Sequence, residues 1–228
     1  MKIFYGIILF VALAGLGVMA DPSLADSIGG PGSTCGTCQG STYTLQYALE
    51  STSGGNSTYD ITYTIDTSTY TGGGTNLSSV AVKVAAAPDI ALGTTTLDST
   101  PGGTWNVIDG GLNNSGCKAA PNGNGFECAQ ASPSVNAFDK VGGTLVWVFD
   151  ITVPTGDLLT SAFQASIKAE YVDPTGNQVG GLVGENITLQ PGTPPSVPEP
   201  MSLLLFGSGV AMFLAKKGLR RTSQNIKH

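Results

Sequence analysis

The feature that most constrains this chain is a regular alternation of apolar and polar residues in its central part. In the segment LVWVFDITV, apolar side chains occupy every second position from Leu145 to Val153. Side chains of a β-strand point alternately to its two faces, so this period predicts a strand with one face in a core. The opposite face begins with Val146 and Val148, and we therefore expect this strand to lie in the centre of a sheet.

The same pattern recurs before and after this strand. No stretch between Thr42 and Gln190 has a helical period with caps. We therefore expect an all-β protein: a single antiparallel β-sandwich over residues 42–190, immunoglobulin-like in architecture, with a barrel or jelly roll as the alternative. The long insertion Thr100–Ser134 is predicted to be an elaborated loop region at one end. Further strands are predicted at Thr42–Leu49, Thr58–Asp66, Val80–Val84, Phe163–Tyr171 and, as one or two strands, Val179–Leu189.

The N-terminal residues have the layout of a secretory signal peptide. The positively charged start, Met1-Lys2, is followed by the apolar run Ile3–Val18 and then by small residues. We expect a signal peptide over residues 1–25 that is cleaved after Ala25. Cleavage after Ala20, or retention of the segment as an uncleaved anchor, is the alternative.

Four cysteines suit the oxidising compartment that an exported protein reaches. Cys117 and Cys128 flank the polar loop KAAPNGNGFE, and Cys35 and Cys38 form a CxxC unit within residues 26–41, which are predicted to be flexible. A strand-like segment follows this unit, whereas a thioredoxin-like redox site needs a helix, and the other two cysteines are spaced unlike a typical zinc site. We predict two structural disulfides, Cys35–Cys38 and Cys117–Cys128, with redox or metal binding at the CxxC unit as alternatives.

Charge and histidine content exclude several classes of function. Between Asp21 and Pro200, four lysines stand against sixteen acidic residues, a net charge of −12, so neither nucleic acid nor an anionic membrane surface is an expected partner. The single histidine, His228, lies beyond the apolar tail, which excludes Ser-His-Asp and Cys-His catalysis in the exported domain. We predict a protein that is not an enzyme, with no cofactor and no metal site.

Catalysis or metal binding without histidine would depend mainly on acidic residues and other oxygen ligands. Asp60, Asp66, Asp150 and Glu170 fall on polar strand faces or in turns, where we expect solvated surface carboxylates. A hydrolase with two carboxylates is kept as an alternative only. The loops NNSG, PNGNG and DPTGN supply oxygen atoms that suit Ca²⁺, but the chain has no EF-hand spacing.

A proline-rich linker, residues 191–200, separates the predicted domain from an apolar tail. As a helix, the run Met201–Ala215 would be about 22 Å long, which is shorter than the roughly 30 Å hydrocarbon core of a bilayer. Extension over residues 201–219 gives a marginal transmembrane helix. Under the positive-inside rule the basic residues that follow, and the tail 222–228, would be cytoplasmic.

Three features of this tail, in this order, resemble the PEP-CTERM sorting signal of exopolysaccharide-producing Gram-negative bacteria. They are the motif Val197-Pro198-Glu199-Pro200, a short apolar helix with Gly207 and Gly209, and the basic residues Lys216, Lys217, Arg220 and Arg221. We assign residues 197–221 to this signal. The resemblance implies that the secretion machinery exports the protein, that the tail tethers it transiently in the inner membrane, and that an exosortase cuts it near the Pro-Glu-Pro motif.

The leading hypothesis is therefore a non-enzymatic protein of the cell envelope or extracellular matrix, sorted to the cell surface and associated with exopolysaccharide or biofilm. The alternative is a carbohydrate-binding module or adhesin, with Trp105, Tyr43, Tyr59 and Tyr171 as candidate stacking platforms. The tyrosines lie on alternating strand faces that favour core positions. Trp105, in the predicted loop region, is thus the candidate glycan contact.

Overall fold

The computed structural model describes residues 27–87, 89–90, 93–120, 124–132 and 139–192. Within these residues the regular structure consists of β-strands, and no α-helix is present. The strands form two sheets that pack face to face around one large core. The prediction of an all-β sandwich is therefore confirmed.

The first sheet, sheet A, contains the strand that was predicted to be central. It is formed by β1 (Ile28–Gly29), β2 (Thr42–Ser53), β3 (Asn56–Asp66), β5 (Thr96–Ser99), β10 (Thr144–Pro154) and β13 (Gln190–Pro191). The order is β1-β2-β3-β10-β5, and β13 also pairs with β2. β10 pairs with β3 on one side and with β5 on the other, as its two apolar faces predicted. Among the described strands of sheet A, only β13 is parallel to its neighbour.

The second sheet, sheet B, is antiparallel throughout the described strands. It is formed by β4 (Asn76–Lys83), β6 (Trp105–Asn113), β7 (Gly116–Ala119), β8 (Phe126–Ala131), β9 (Asp139–Lys140), β11 (Ala165–Val172) and β12 (Val183–Ile187). The order is β12-β11-β4-β8-β6-β7, with β9 beside β4. The predicted strand Phe163–Tyr171 starts two residues later in the structure, and the Phe163 side chain is 59% exposed.

The core lies between the inward faces of the two sheets. In β10 the alternate residues from Leu145 to Val153 are all buried, and they face buried residues of sheet B such as Val82 and Ile167. Trp147 packs edge-on against Trp105, with ring centroids 5.2 Å apart. The period read from the sequence therefore identifies the buried face correctly.

The segment Thr100–Ser134 is not the loop region that was predicted. It supplies β6, β7 and β8, and β6 pairs with β8 through its first half and with β7 through its second half. Between the two halves lies Gly110, where φ is +148° and a Cβ atom would overlap the carbonyl group of Lys118. Only glycine allows this turn, which folds the β6–β7 hairpin back over the outer face of sheet B.

A second, smaller apolar cluster forms where this hairpin covers the sheet. It consists of the buried residues Ala81, Leu112, Cys117 and Cys128, with Ile108, Phe126 and Leu182 at its margin. The Lys168 ammonium group on β11 donates a hydrogen bond to the Leu112 carbonyl oxygen at 3.1 Å. Sheet B is therefore covered on both faces at this point. Burial of these apolar side chains stabilises the hairpin on the sheet. A pattern that buries only one face of each strand does not predict this second cluster.

The two ends of the described chain cover the same edge of sheet A. β1 pairs with the start of β2, and β13 pairs with its middle at Gln46 and Tyr47. The Gly192 amide extends this pairing, because it donates to the Tyr47 carbonyl oxygen at 2.7 Å. The positions of β2 that β1 and β13 cover cannot pair with a strand from another molecule. Residues 27–41 thus carry structure that the prediction of a flexible segment omitted.

Buried hydroxyl groups join the two sheets at one end of the core. The Tyr171 hydroxyl on β11 lies 2.9 Å from the Tyr43 hydroxyl on β2 and 2.8 Å from the Ser41 hydroxyl. The Tyr43 hydroxyl also donates to the Cys38 carbonyl oxygen at 3.4 Å. Burial raises the pKa of Tyr171 to about 12 and raises that of Tyr43 as well. Both hydroxyl groups therefore stay protonated at neutral pH and can act as hydrogen-bond donors.

Substitution of Tyr171 by Phe tests this inter-sheet link. We expect Tyr171→Phe to lower the free energy of unfolding by about 1 to 2 kcal/mol, because the buried hydroxyls of Ser41 and Tyr43 lose a partner. Urea denaturation of the oxidised protein measures the change. Tyr59→Phe is the control, because the Tyr59 hydroxyl makes no hydrogen bond to any described residue, and we expect a change within about 0.5 kcal/mol. Equal losses in both variants would contradict the assignment.

Candidate functional site

Both predicted disulfides are present. The Cys117–Cys128 bond joins β7 to β8, with the two Cα atoms 5.8 Å apart, and holds the folded-back hairpin on sheet B. The Cys35–Cys38 bond closes the CxxC unit, with a Cα–Cα distance of 5.5 Å. The prediction of two structural disulfides is therefore confirmed.

The CxxC disulfide lies against the edge strand of sheet B. The Cys35 sulfur is 3.3 Å from a carboxylate oxygen of Glu185 on β12, and the Thr37 hydroxyl donates to the same oxygen. The sulfurs of Cys35 and Cys38 and the Glu185 carboxylate all lie within 4.8 Å of one another. Because both sulfurs are bonded to each other, they cannot act as thiolate ligands. In this state the cluster is a structural link between the N-terminal segment and β12.

Trp105 does not form an exposed glycan platform. It starts β6, is 8% exposed, and its indole nitrogen donates to the Gly102 carbonyl oxygen at 2.9 Å. Tyr43 and Tyr171 are fully buried, and Tyr59 packs against the core. The prediction that Trp105 is a glycan contact in a loop is therefore wrong. Trp105 is an inward residue of β6, a strand that the sequence pattern did not reveal.

Four carboxylates form a row across sheet A, on the face that points away from the core. Asp60 on β3 is directly opposite Asp150 on β10, and Asp98 on β5 and Glu50 on β2 continue the row. Partial burial, and then the charge of Asp98, raise the pKa of Asp60 and of Asp150. The charge of Asp150 is the main cause that raises the pKa of Glu50. These side chains repel one another, and no lysine or arginine pairs with them among the described residues.

Two acidic residues are less solvated than the sequence predicted. Glu170 on β11 is 5% exposed and accepts a hydrogen bond from the Ser78 hydroxyl at 2.8 Å. Glu127 on β8, which was hidden in the predicted loop region, is 1% exposed. Burial, together with the neighbouring Asp109, raises the pKa of Glu127 to about 8. In the segment FECAQA, Glu127 alternates with the small apolar residues Ala129 and Ala131. This pattern is the sequence signal that could have identified Glu127 as a buried acidic residue.

A cavity of about 310 Å³ lies on the outer face of sheet B, between β11, β12 and Phe126. Its polar groups already have partners within the fold. The Ser166 hydroxyl donates to the Asn186 side-chain oxygen at 2.8 Å, and Lys168 lies 4.7 Å from the centre of the Phe126 ring. We therefore assign no ligand to this cavity.

The predictions for the two ends of the chain fall outside the described residues. These are the signal peptide 1–25, the linker from residue 193 to 200, the sorting signal 197–221 and the tail 222–228. The motif Val197–Pro200 and the basic residues Lys216, Lys217, Arg220 and Arg221 belong to them. In the part of the chain that the structure does describe, no helix has the length and apolar character needed to cross a membrane.

Comparison with known proteins assigns no family. No family profile and no curated protein matches the chain. One similar structure is that of an uncharacterised Nocardia farcinica protein with an immunoglobulin-like fold, 16% identical over 66% of this chain and 90% of that chain, with a TM-score of 0.36. Another is an inactive GH20 exo-β-N-acetylglucosaminidase mutant from Vibrio harveyi, 10% identical over 68% of this chain and 19% of that chain, with a TM-score of 0.32. Both TM-scores are too low to support a conclusion about fold or activity.

The two disulfides are expected to differ in what they contribute. Loop-closure entropy predicts that the pair Cys117→Ser and Cys128→Ser costs about 3 kcal/mol, whereas Cys35→Ser with Cys38→Ser, which opens a shorter loop, costs about 2 kcal/mol. The first pair also loosens the apolar cluster under the hairpin. Urea denaturation without reductant compares the two double variants. A larger loss from opening the CxxC unit would contradict this order.

The acidic row makes the fold less stable as the pH rises. The pKa values of Asp60 and Asp150 are higher in the folded chain than their ordinary values, so the stability present at low pH is lost as the pH rises through the raised values. Asp150→Asn removes one of two directly opposed charges, and we expect it to stabilise the protein by about 0.5 kcal/mol at pH 7. Asp157→Asn, outside the row, is the control in thermal unfolding. A gain that persists undiminished at pH 3 would show that charge is not the cause.

Proposed function

We propose that this protein is an exported, non-enzymatic β-sandwich of immunoglobulin-like architecture, sorted by an exosortase to the cell envelope or extracellular matrix and associated there with exopolysaccharide. The observation that carries the proposal is the closure of both cysteine pairs. Disulfides persist in oxidising compartments and are rare in the cytosol of mesophiles. Closed disulfides thus support the export that the two ends of the sequence predict.

The position of the sorting motif relative to the domain supports the same proposal. The last described strand, β13, ends at Pro191, and the motif begins at Val197. A cut near Pro198-Glu199-Pro200 would therefore remove the apolar tail and leave every described strand in the released domain. The strand β13 would continue to pair with Gln46 and Tyr47 of β2, so processing would not expose this part of the sheet edge.

The outer face of sheet A supports an association with hydrated polysaccharide. Thr44, Thr62 and Thr64 are half-exposed on neighbouring strands of this face, where their hydroxyl groups can exchange hydrogen bonds with water and sugar. The described residues with large exposed apolar side chains are Leu49 and Phe163 alone. Trp105 is withdrawn as a sugar platform, so a matrix role carried by polar surface is favoured over a carbohydrate-binding module with an aromatic site.

Replacement of Pro198, Glu199 and Pro200 by alanine tests the sorting claim. In an exosortase-producing Gram-negative host, we expect wild-type protein to be processed and to reach the cell surface, and the triple variant to remain uncut in the inner membrane. Ser202→Ala, which leaves the motif intact, is the matched control. Intact mass of the exported form reports both cleavages and the two disulfides.

Deletion of residues 197–228 gives a second, independent result. Without the tail, the domain has no tether, and we expect it to appear unprocessed at its C-terminus in the soluble periplasmic or extracellular fraction. If the triple variant were cut and located as wild type is, and the deletion variant also reached the cell surface, the proposal of exosortase sorting would be wrong. The disulfides and the fold would be unaffected by that outcome.

A further inference from the structure

Two carboxylates meet on the inward face of sheet B, at the end of the sandwich where the chain crosses to sheet A. Glu127 on β8 is directly opposite Asp109 on β6, and on its other side it is in register with Val82 of the core. Side chains of directly opposed residues in an antiparallel pair have Cβ atoms about 5 Å apart. The two acidic groups therefore share one small space, and Glu127 is 1% exposed.

The crossing segment between β4 and β5 covers this space with polar atoms. The Gly93 amide donates to a carboxylate oxygen of Asp109 at 2.6 Å. Thr95, two residues on, is 7% exposed, and its hydroxyl lies close enough to Glu127 to lower the pKa of that carboxyl group, against the stronger effect of burial. The segment thus contributes one donor and one hydroxyl oxygen to the same place.

Two oxygen atoms in this space have no hydrogen-bond partner among the described residues. They are Oε2 of Glu127 and the hydroxyl oxygen of Thr95, both fully shielded from solvent. A buried polar atom without a partner costs about 1 to 3 kcal/mol, and a buried charge without one costs more. Native folds avoid such costs, so unpaired buried oxygens beside a second carboxylate favour the binding of a cation at this place.

We propose that Glu127, Asp109 and Thr95 form a binding site for a divalent cation, with Ca²⁺ as the ion of best fit. All donors are oxygens, two from carboxylates and one from a hydroxyl, which is the ligand type that Ca²⁺ takes. Two carboxylates balance the double charge of the ion. Asp109 is only half-buried, so the ion and the waters that complete its coordination can enter on that side.

The site is separate from the acidic row on sheet A. Asp60 and Asp150 lie on the outer face of the other sheet, and no unpaired oxygen there belongs to a fully buried residue. Oδ1 of Asp60 is shielded and unpaired as well, but the Asp60 residue is half-exposed, whereas Glu127 is 1% exposed and has the buried Thr95 hydroxyl beside it. The inference concerns the folded domain and does not depend on the proposed sorting.

Calorimetric titration of the EDTA-treated, full-length chain with CaCl₂ at pH 8.5 tests the proposal. Wild type is expected to bind one ion, and its melting temperature is expected to rise by about 5 °C at a hundredfold excess over Kd. Glu127→Gln keeps the shape of the side chain and removes its charge, and we expect it to lose binding. Thr95→Val should weaken binding about tenfold. MgCl₂ should give a smaller shift, because Mg²⁺ demands a stricter geometry.

Asp150→Asn is the matched control, since it removes one carboxylate from the outer row. It is expected to bind Ca²⁺ as wild type does. No binding by wild type would overturn the proposal, and so would binding that Asp150→Asn removes and Glu127→Gln retains. Glu127→Gln should melt at or above the temperature of ion-free wild type. A cooperative thermal transition of Glu127→Gln would show that this variant is folded and that its loss of Ca²⁺ binding has another cause than unfolding.

Discussion

The structure depends on the burial of one face of each sheet against the other, and the hydroxyl contact between Tyr43 and Tyr171 fixes how the two faces meet. The contact is 2.9 Å long and lies among residues that are fully buried. Through the Cys38 carbonyl oxygen and the Ser41 hydroxyl, it also holds the N-terminal segment in place. A buried polar link must be satisfied in one arrangement, so it gives the apolar core a defined registration that burial alone does not supply.

The acidic character of the domain is distributed in two physically different ways. On the outer face of sheet A, Asp60 and Asp150 remain partly in water, where repulsion is screened and costs little. On the inward face of sheet B, Glu127 is shielded from water, and its charge must be neutralised by a proton or by a cation. Acidic residues therefore keep the outer face of sheet A soluble, and on the inward face of sheet B they define a candidate binding site.

Sequence pattern was a good guide wherever a strand buries one face and exposes the other. β3 and β10 were located closely because their alternation is long and uninterrupted. The pattern did not predict the strands between Thr100 and Ser134, because this segment is rich in glycine and asparagine and its strands are short. There the β6–β7 hairpin covers the outer face of sheet B, whose inward face packs on sheet A, so apolar and polar positions do not alternate cleanly. Trp105 and Glu127 were misplaced or missed for this reason.

By itself, the sequence determined the all-β class, the main buried face and the cysteine pairs, because these depend on local period and spacing along the chain. Only the tertiary structure decided which strands are neighbours, that β1 and β13 both pair with β2, and that Glu127 meets Asp109 across β8 and β6. Contacts between distant segments depend on how the faces pack in three dimensions. No local pattern encodes that arrangement, and the candidate cation site depends on it entirely.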